Sequence, residues 1–176
     1  MEQIRTDSDH PRLFLAGVLI SALAYSTLFF INDWLTEALK YDLGVSWIYL
    51  PAGLRLFLIL IFGLPGAIGI AIASFTISFF GDFLPDLVTC IGIGVISGFA
   101  PLLAKWVVVS NIPINNDLSN LSLQKIIFCV AVYAFMSAGL HQYWFVLRGL
   151  ESGSLDHFLV MFVGDIAGSI LQYRPH

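Results

Sequence analysis

WIYLPAGLRLFLILIFGLPGAIGIAIASFTISFFG, residues 47–81, carries one charged side chain, Arg55, and otherwise almost nothing but apolar and small residues. A helix needs about 20 such residues to cross a bilayer. The stretch therefore reads as two spans, Trp47 to Gly63 and Gly66 to about Gly81, joined at Leu64-Pro65 by a connection short enough to require a tight helical hairpin. This reading fixes the class: an all-α, polytopic transmembrane helical bundle.

Working outward, the first apolar run goes from Leu13 to Ile31, behind a polar head, residues 1–12, that contains both acidic and basic side chains. Ala22-Leu23-Ala24 resembles a signal-peptide cleavage site, but the apolar run continues through it and the head is partly acidic, so an uncleaved span is expected. Residues 32–44 mix polar and aromatic positions, which predicts a short interfacial helix with Trp34 and Tyr41 at headgroup level and Gly44 as its stop. Beyond Asp82 and Asp86 a fourth span is expected from Leu87 to Ala104, kinked at its far end by Pro101. A polar loop from Asn111 to Gln124 follows, then a fifth span from Ile126 to Leu147 and a sixth from His157 to Tyr173.

Six spans is thus the expected count, in a single integral membrane domain: a head at 1–12, a bundle over 13–173 and a tail at 174–176. The hydrophobic share of 58%, the charged share of 11% and a mean hydropathy of +0.87 agree with it, and leave no room for an appended soluble domain. The net charge of −4 is spread thinly and offers no basic stripe, which excludes nucleic acid as a partner. Cys90 and Cys129 sit in apolar runs without ligand spacing, so no metal and no disulfide framework is expected. With both termini cytoplasmic, Arg5, Arg12, Lys105, Lys125 and Arg174 fall inside, and Lys40 and Arg148 outside, as the positive-inside rule prefers for a bacterial inner membrane.

Arg55 and Asp165 are each the ninth residue of a predicted span, and so share a depth. A charge at the bilayer centre costs at least about 2.5–3.5 kcal/mol, so both should face the interior, paired or hydrated. Such a pair is either a structural bridge or the core of a polar cavity. An arginine there would hold a carboxylate or phosphate by its fork, with Asp165 orienting it. Pro51 removes a backbone donor and Gly53 leaves space beside Arg55, so the helix is open to a local break that would add ligand-binding groups. His141 belongs to the same candidate site, as a hydrogen-bonded histidine facing the bundle. Asp82 and Asp86 are either solvated end caps or a cation-attracting entrance. Gly94 with Gly98, and Gly164 with Gly168, form GxxxG patterns that allow close helix approach. No hydrolase, nucleotide-binding or metalloprotease motif is present, so neither enzymatic activity nor a cofactor is expected.

Trp47 to Gly63, with its proline, glycine and closing Phe62-Gly63, and Gly164-Asp165-Ile166-Ala167-Gly168 followed by Pro175, resemble the membrane-associated sensor domains of bacterial histidine kinases and diguanylate cyclases. That family usually has about eight spans and an attached output domain. The resemblance therefore implies a stand-alone, shortened sensor that signals through a partner protein, with Arg55 and Asp165 inside the matching motifs. In size and span count the chain is also similar to the substrate-binding membrane subunits of energy-coupling-factor transporters. The resulting expectation is a sensor-like or ligand-binding bundle in contact with lipid, a small-molecule ligand and a signalling partner. The alternatives are a small-solute transporter or transporter subunit, and an assembly or scaffold protein built on its GxxxG faces.

Overall fold

The computed structural model describes residues 9–42, 45–81, 86–111 and 123–172. Six α-helices fill these residues: α1 Asp9–Leu35, α2 Pro51–Phe62, α3 Leu64–Phe80, α4 Leu87–Asn111, α5 Leu123–Arg148 and α6 Leu155–Gln172. The all-α membrane bundle is as the sequence implies, but the span count is not. Four helices are long and apolar enough to cross a bilayer, within 11–35, 87–108, 124–148 and 155–172. The stretch over 47–81 makes shorter helices of 12 and 17 residues. At 1.5 Å per residue, α2 is about 18 Å long, well short of the roughly 30 Å hydrocarbon core.

Local chemistry causes the shortening. Pro51 sits in the first turn of α2, where its missing donor costs nothing, and residues 47–50 before it are not helical. The break lies at the start of the helix rather than within it. Gly63 ends α2 at φ 62°, a left-handed conformation that favours glycine, and Pro65 lies in the first turn of α3.

The segment after α1 also departs from expectation. The helix runs on to Leu35, a 3-10 turn spans Glu37–Leu39, and an antiparallel hairpin pairs β1 (Lys40–Asp42) with β2 (Val45–Ser46), so no interfacial helix covers 32–44. Asn32 explains the turn. Its carbonyl accepts bonds from the Thr36 amide (2.8 Å) and hydroxyl (2.7 Å), while its side-chain oxygen accepts from the Leu50 amide at 2.9 Å. Asn32 thus ties the last turn of α1, through its carbonyl, to the entry of α2, through its side chain.

α4 continues through the buried Pro101 to Asn111, past the expected end at Ala104. The loop and tail expectations over 112–122 and 173–176, like the head over 1–8 and Gly44, lie outside the described residues.

The two GxxxG patterns serve different partners. A Cβ on Gly94 or Gly98 would run into the Ala71 or Ala67 carbonyl, so this pair lets α4 lie directly on the backbone of α3. A Cβ on Gly164 or Gly168 would run into the Ser46 or Tyr49 carbonyl. That pair receives the non-helical segment 46–50 rather than another helix, and the Tyr49 amide donates to the Gly164 carbonyl at 3.1 Å.

Between α4 and α5, Asp86 caps α4 through the Thr89 amide (3.1 Å) and hydroxyl (2.5 Å). Arg148 closes the cluster, with Nη2 2.9 Å from the Asp86 carboxylate and Nε donating to the Thr89 hydroxyl at 2.9 Å. These bonds, from Arg148 first and then Thr89, hold the Asp86 carboxyl well below the usual carboxylate range. Because the folded value is depressed, the contribution is complete above the unfolded value of about 3.9 and is lost as pH falls toward the folded one. Thermal melts of the parent and Asp86→Asn should therefore differ by a constant amount between pH 5 and 7. The gap should narrow below about pH 4.

Candidate ligand-binding site

Arg55 on α2 and Asp165 on α6 meet inside the bundle, 1% and 0% exposed. Their approach follows from Gly53, where a Cβ would lie 2.9 Å from the Ser169 Cα, so only glycine lets α2 lie this close to α6. The pair is nonetheless loose. Arg55 Nη2 and Asp165 Oδ1 are 3.6 Å apart, beyond the roughly 2.7–2.9 Å of a charge-assisted hydrogen bond.

The looseness leaves polar atoms unsatisfied. Arg55 Nε and Nη2 are buried without a hydrogen-bond partner, as is the Ser169 hydroxyl, and the Asp165 carboxylate and Tyr133 hydroxyl have only the nearby Ser137 hydroxyl to turn to, which closes a well-formed bond with neither. Buried polar groups are paired in the great majority of cases, and unpaired ones concentrate where water, an ion or a ligand belongs. What holds the guanidinium is aromatic: its carbon lies 5.0 Å from the Tyr49 ring centre and 5.8 Å from that of Tyr133. The Tyr49 and Tyr25 hydroxyls share a hydrogen bond of 2.8 Å, fixing the first of these rings.

Arg55 and Asp165 border a cavity of about 510 Å³ that reaches from the β-hairpin and the ends of α1 and α3 into the bundle. Its size suits a small molecule. Tyr25, Phe29, Tyr41 and Phe80 supply apolar wall, and Asp33, Lys40 and Asp42 lie toward the hairpin.

A polar chain forms another side of the cavity. His141 is buried, its Nδ1 is 2.8 Å from the Ser137 carbonyl and its Nε2 3.3 Å from the Ser97 hydroxyl. A carbonyl only accepts, so Nδ1 carries the proton and Nε2 accepts from Ser97, which itself accepts from Ser74 at 2.9 Å. This is a neutral histidine with both nitrogens used. Among the described residues no cluster of His, Cys, Asp or Glu has the makings of a metal site.

Of the other sequence candidates, Pro51 shapes α2 without lining the cavity. Asp86 is engaged by Arg148 and Thr89 and likewise stands outside the lining, so the acidic residues at the hairpin end are Asp33 and Asp42 instead. Asp82 lies outside the described residues. Sequence reasoning missed the aromatic and hydroxyl partners. A helical-spacing signal for them exists: Tyr133, Ser137 and His141 recur every four residues on α5, and Asp165 and Ser169 do so on α6.

Compared with known proteins, the chain matches no family model, no curated protein and no solved structure.

Proposed function

We propose that this chain is a non-enzymatic, ligand-binding bundle of a bacterial inner membrane, sensor-like in that it holds a small polar molecule at Arg55 and Asp165 and passes the bound state to a partner protein. The observation that carries the reading is the conjunction of orphaned, fully buried charged atoms with an adjoining cavity of about 510 Å³. A purely structural bridge would close to hydrogen-bonding distance and satisfy its own donors and acceptors. Here the pair stays 3.6 Å apart, and both residues line the cavity.

The route to a partner runs through the entry segment. Residues 46–50 touch α6 at Gly164 and Gly168 and α1 at Asn32, so a ligand that shifts Arg55 also loads the contacts that place α1. The charge distribution of the chain supports cytoplasmic termini. This orientation holds with four spans as with six, because removing the α2–α3 hairpin from the count leaves the termini on the same side.

The test is a thermal-stability screen of the detergent-purified protein against a broad panel of small polar metabolites. Hits should stabilise the parent, by about 2.7 kcal/mol at a hundredfold excess over Kd, and should fail with Arg55→Lys, which keeps the charge but loses the fork. A panel in which every stabilising compound acts equally on Arg55→Lys would refute the site. Saturable uptake of a hit into proteoliposomes would move the assignment to transport.

A further inference from the structure

The same site also defines the charge of what it binds, on the premise that the cavity is a ligand site. Arg55 leaves donors unmet, at Nε and Nη2, while Asp165 leaves acceptors unmet, at Oδ1 and Oδ2. These opposite requirements lie side by side, 3.6 Å apart at their nearest atoms. A simple anion would satisfy the guanidinium but would be brought against the Asp165 carboxylate, in surroundings that screen charge poorly. A simple cation meets the mirror problem at Arg55. Only a ligand that brings an acceptor and a donor together satisfies both.

The rest of the cavity agrees. Its lining holds the cations Lys40 and Arg55 against the acids Asp33, Asp42 and Asp165, so there is no positive excess to attract an anion from solution. Asp33 and Lys40 pair at 2.5 Å, and Asp42 lies 2.7 Å from His157 Nε2, so both acids at the hairpin end already have partners. Between the two ends, Tyr25, Phe29 and Phe80 offer aromatic surface. His141 adds no charge, because its Nε2 accepts from the Ser97 hydroxyl and so carries no proton.

We infer that the ligand is a zwitterion with an apolar body, in the chemical class of an apolar or aromatic amino acid, its carboxylate on Arg55 and its ammonium on Asp165. The guanidinium, in contact with the Tyr49 and Tyr133 rings, offers a planar fork suited to such a carboxylate. Asp165 then acts as the ammonium acceptor and not only as the counter-ion of Arg55.

The experiment compares three probes that share a phenyl body: L-phenylalanine, 3-phenylpropionate, which lacks the ammonium, and 2-phenylethylamine, which lacks the carboxylate. Each is titrated into the purified full chain, with melting temperature and calorimetric binding as readouts. L-Phenylalanine should bind at least tenfold more tightly than either single-charge analogue, and Asp165→Asn, which keeps the side-chain shape, should weaken it at least tenfold. Equal binding of 3-phenylpropionate, with Asp165→Asn harmless, would overturn the zwitterion and leave an anion site in place. No binding of L-phenylalanine, while other compounds bind in an Arg55-dependent way, would overturn it too. If no compound of any charge type binds, the ligand-site reading falls with it.

Discussion

Replacing Asp165 with alanine is expected to destabilise the protein by about 3–5 kcal/mol, and replacing Arg55 alone should cost a similar amount. Each single change strands an opposite charge with almost no exposure to solvent. The Arg55→Met/Asp165→Leu double variant should behave differently. It removes both charges and fills the space with apolar atoms, and buried pairs replaced in this way often leave stability unchanged or improved by about 1–4 kcal/mol. The four unsatisfied polar atoms of the pair strengthen that expectation, since their desolvation is uncompensated in the unliganded fold. Thermal melts of the parent, both single variants and the double in one detergent decide the matter. The swapped Arg55→Asp/Asp165→Arg protein adds a control: rescue by the swap would show that the pair contributes mainly a bridge.

The second large effect is expected at Gly168. A valine there drives its side chain into the Tyr49 carbonyl and lies within 2.8 Å of the Leu50 amide nitrogen, so the neighbour that must move is backbone. Overpacking usually costs about 1–3 kcal/mol, and a site with no flexible side chain to yield belongs at the top of that range or above it. The change also pushes out the segment that leads into Arg55, so ligand response should fall with stability. Gly139→Ala is the matched control. Its added Cβ meets only the edge of Phe158 at 3.9 Å, ordinary contact, and exchanging glycine for alanine within a helix is favourable by about 0.5–1 kcal/mol. If Gly168→Val melts within a degree or two of the parent, the seating of segment 46–50 on α6 is wrong.

The sequence made the bundle legible because apolar run length needs no tertiary information. Arg55 and Asp165 were legible for the same reason: a charge inside an apolar run announces itself, and two opposite charges at matching positions suggest each other. The error in span count has a specific source. Residues 47–50 are as apolar as a helix, but they stay outside α2, which begins at Pro51 with the Leu50 amide bonded to the Asn32 side chain, and hydropathy does not register backbone conformation. The role of Gly164 and Gly168 was hidden likewise, since GxxxG reports a close approach without saying to what. Tyr49, Tyr133, Ser137 and Ser97 escaped notice because tyrosine and serine are unremarkable in membrane helices. Only the fold brings them around Arg55, Asp165 and His141.

The central claim, that the polar centre belongs to a bound molecule, is tested most directly by mass spectrometry of the small molecules released when the purified protein is denatured. The parent and the Arg55→Met/Asp165→Leu variant are prepared side by side. The parent is expected to release a small polar compound, in stoichiometric amount, that the folded double variant lacks. Identical release from both proteins, lipid and detergent alone, would contradict it and leave Arg55 and Asp165 as a structural bridge.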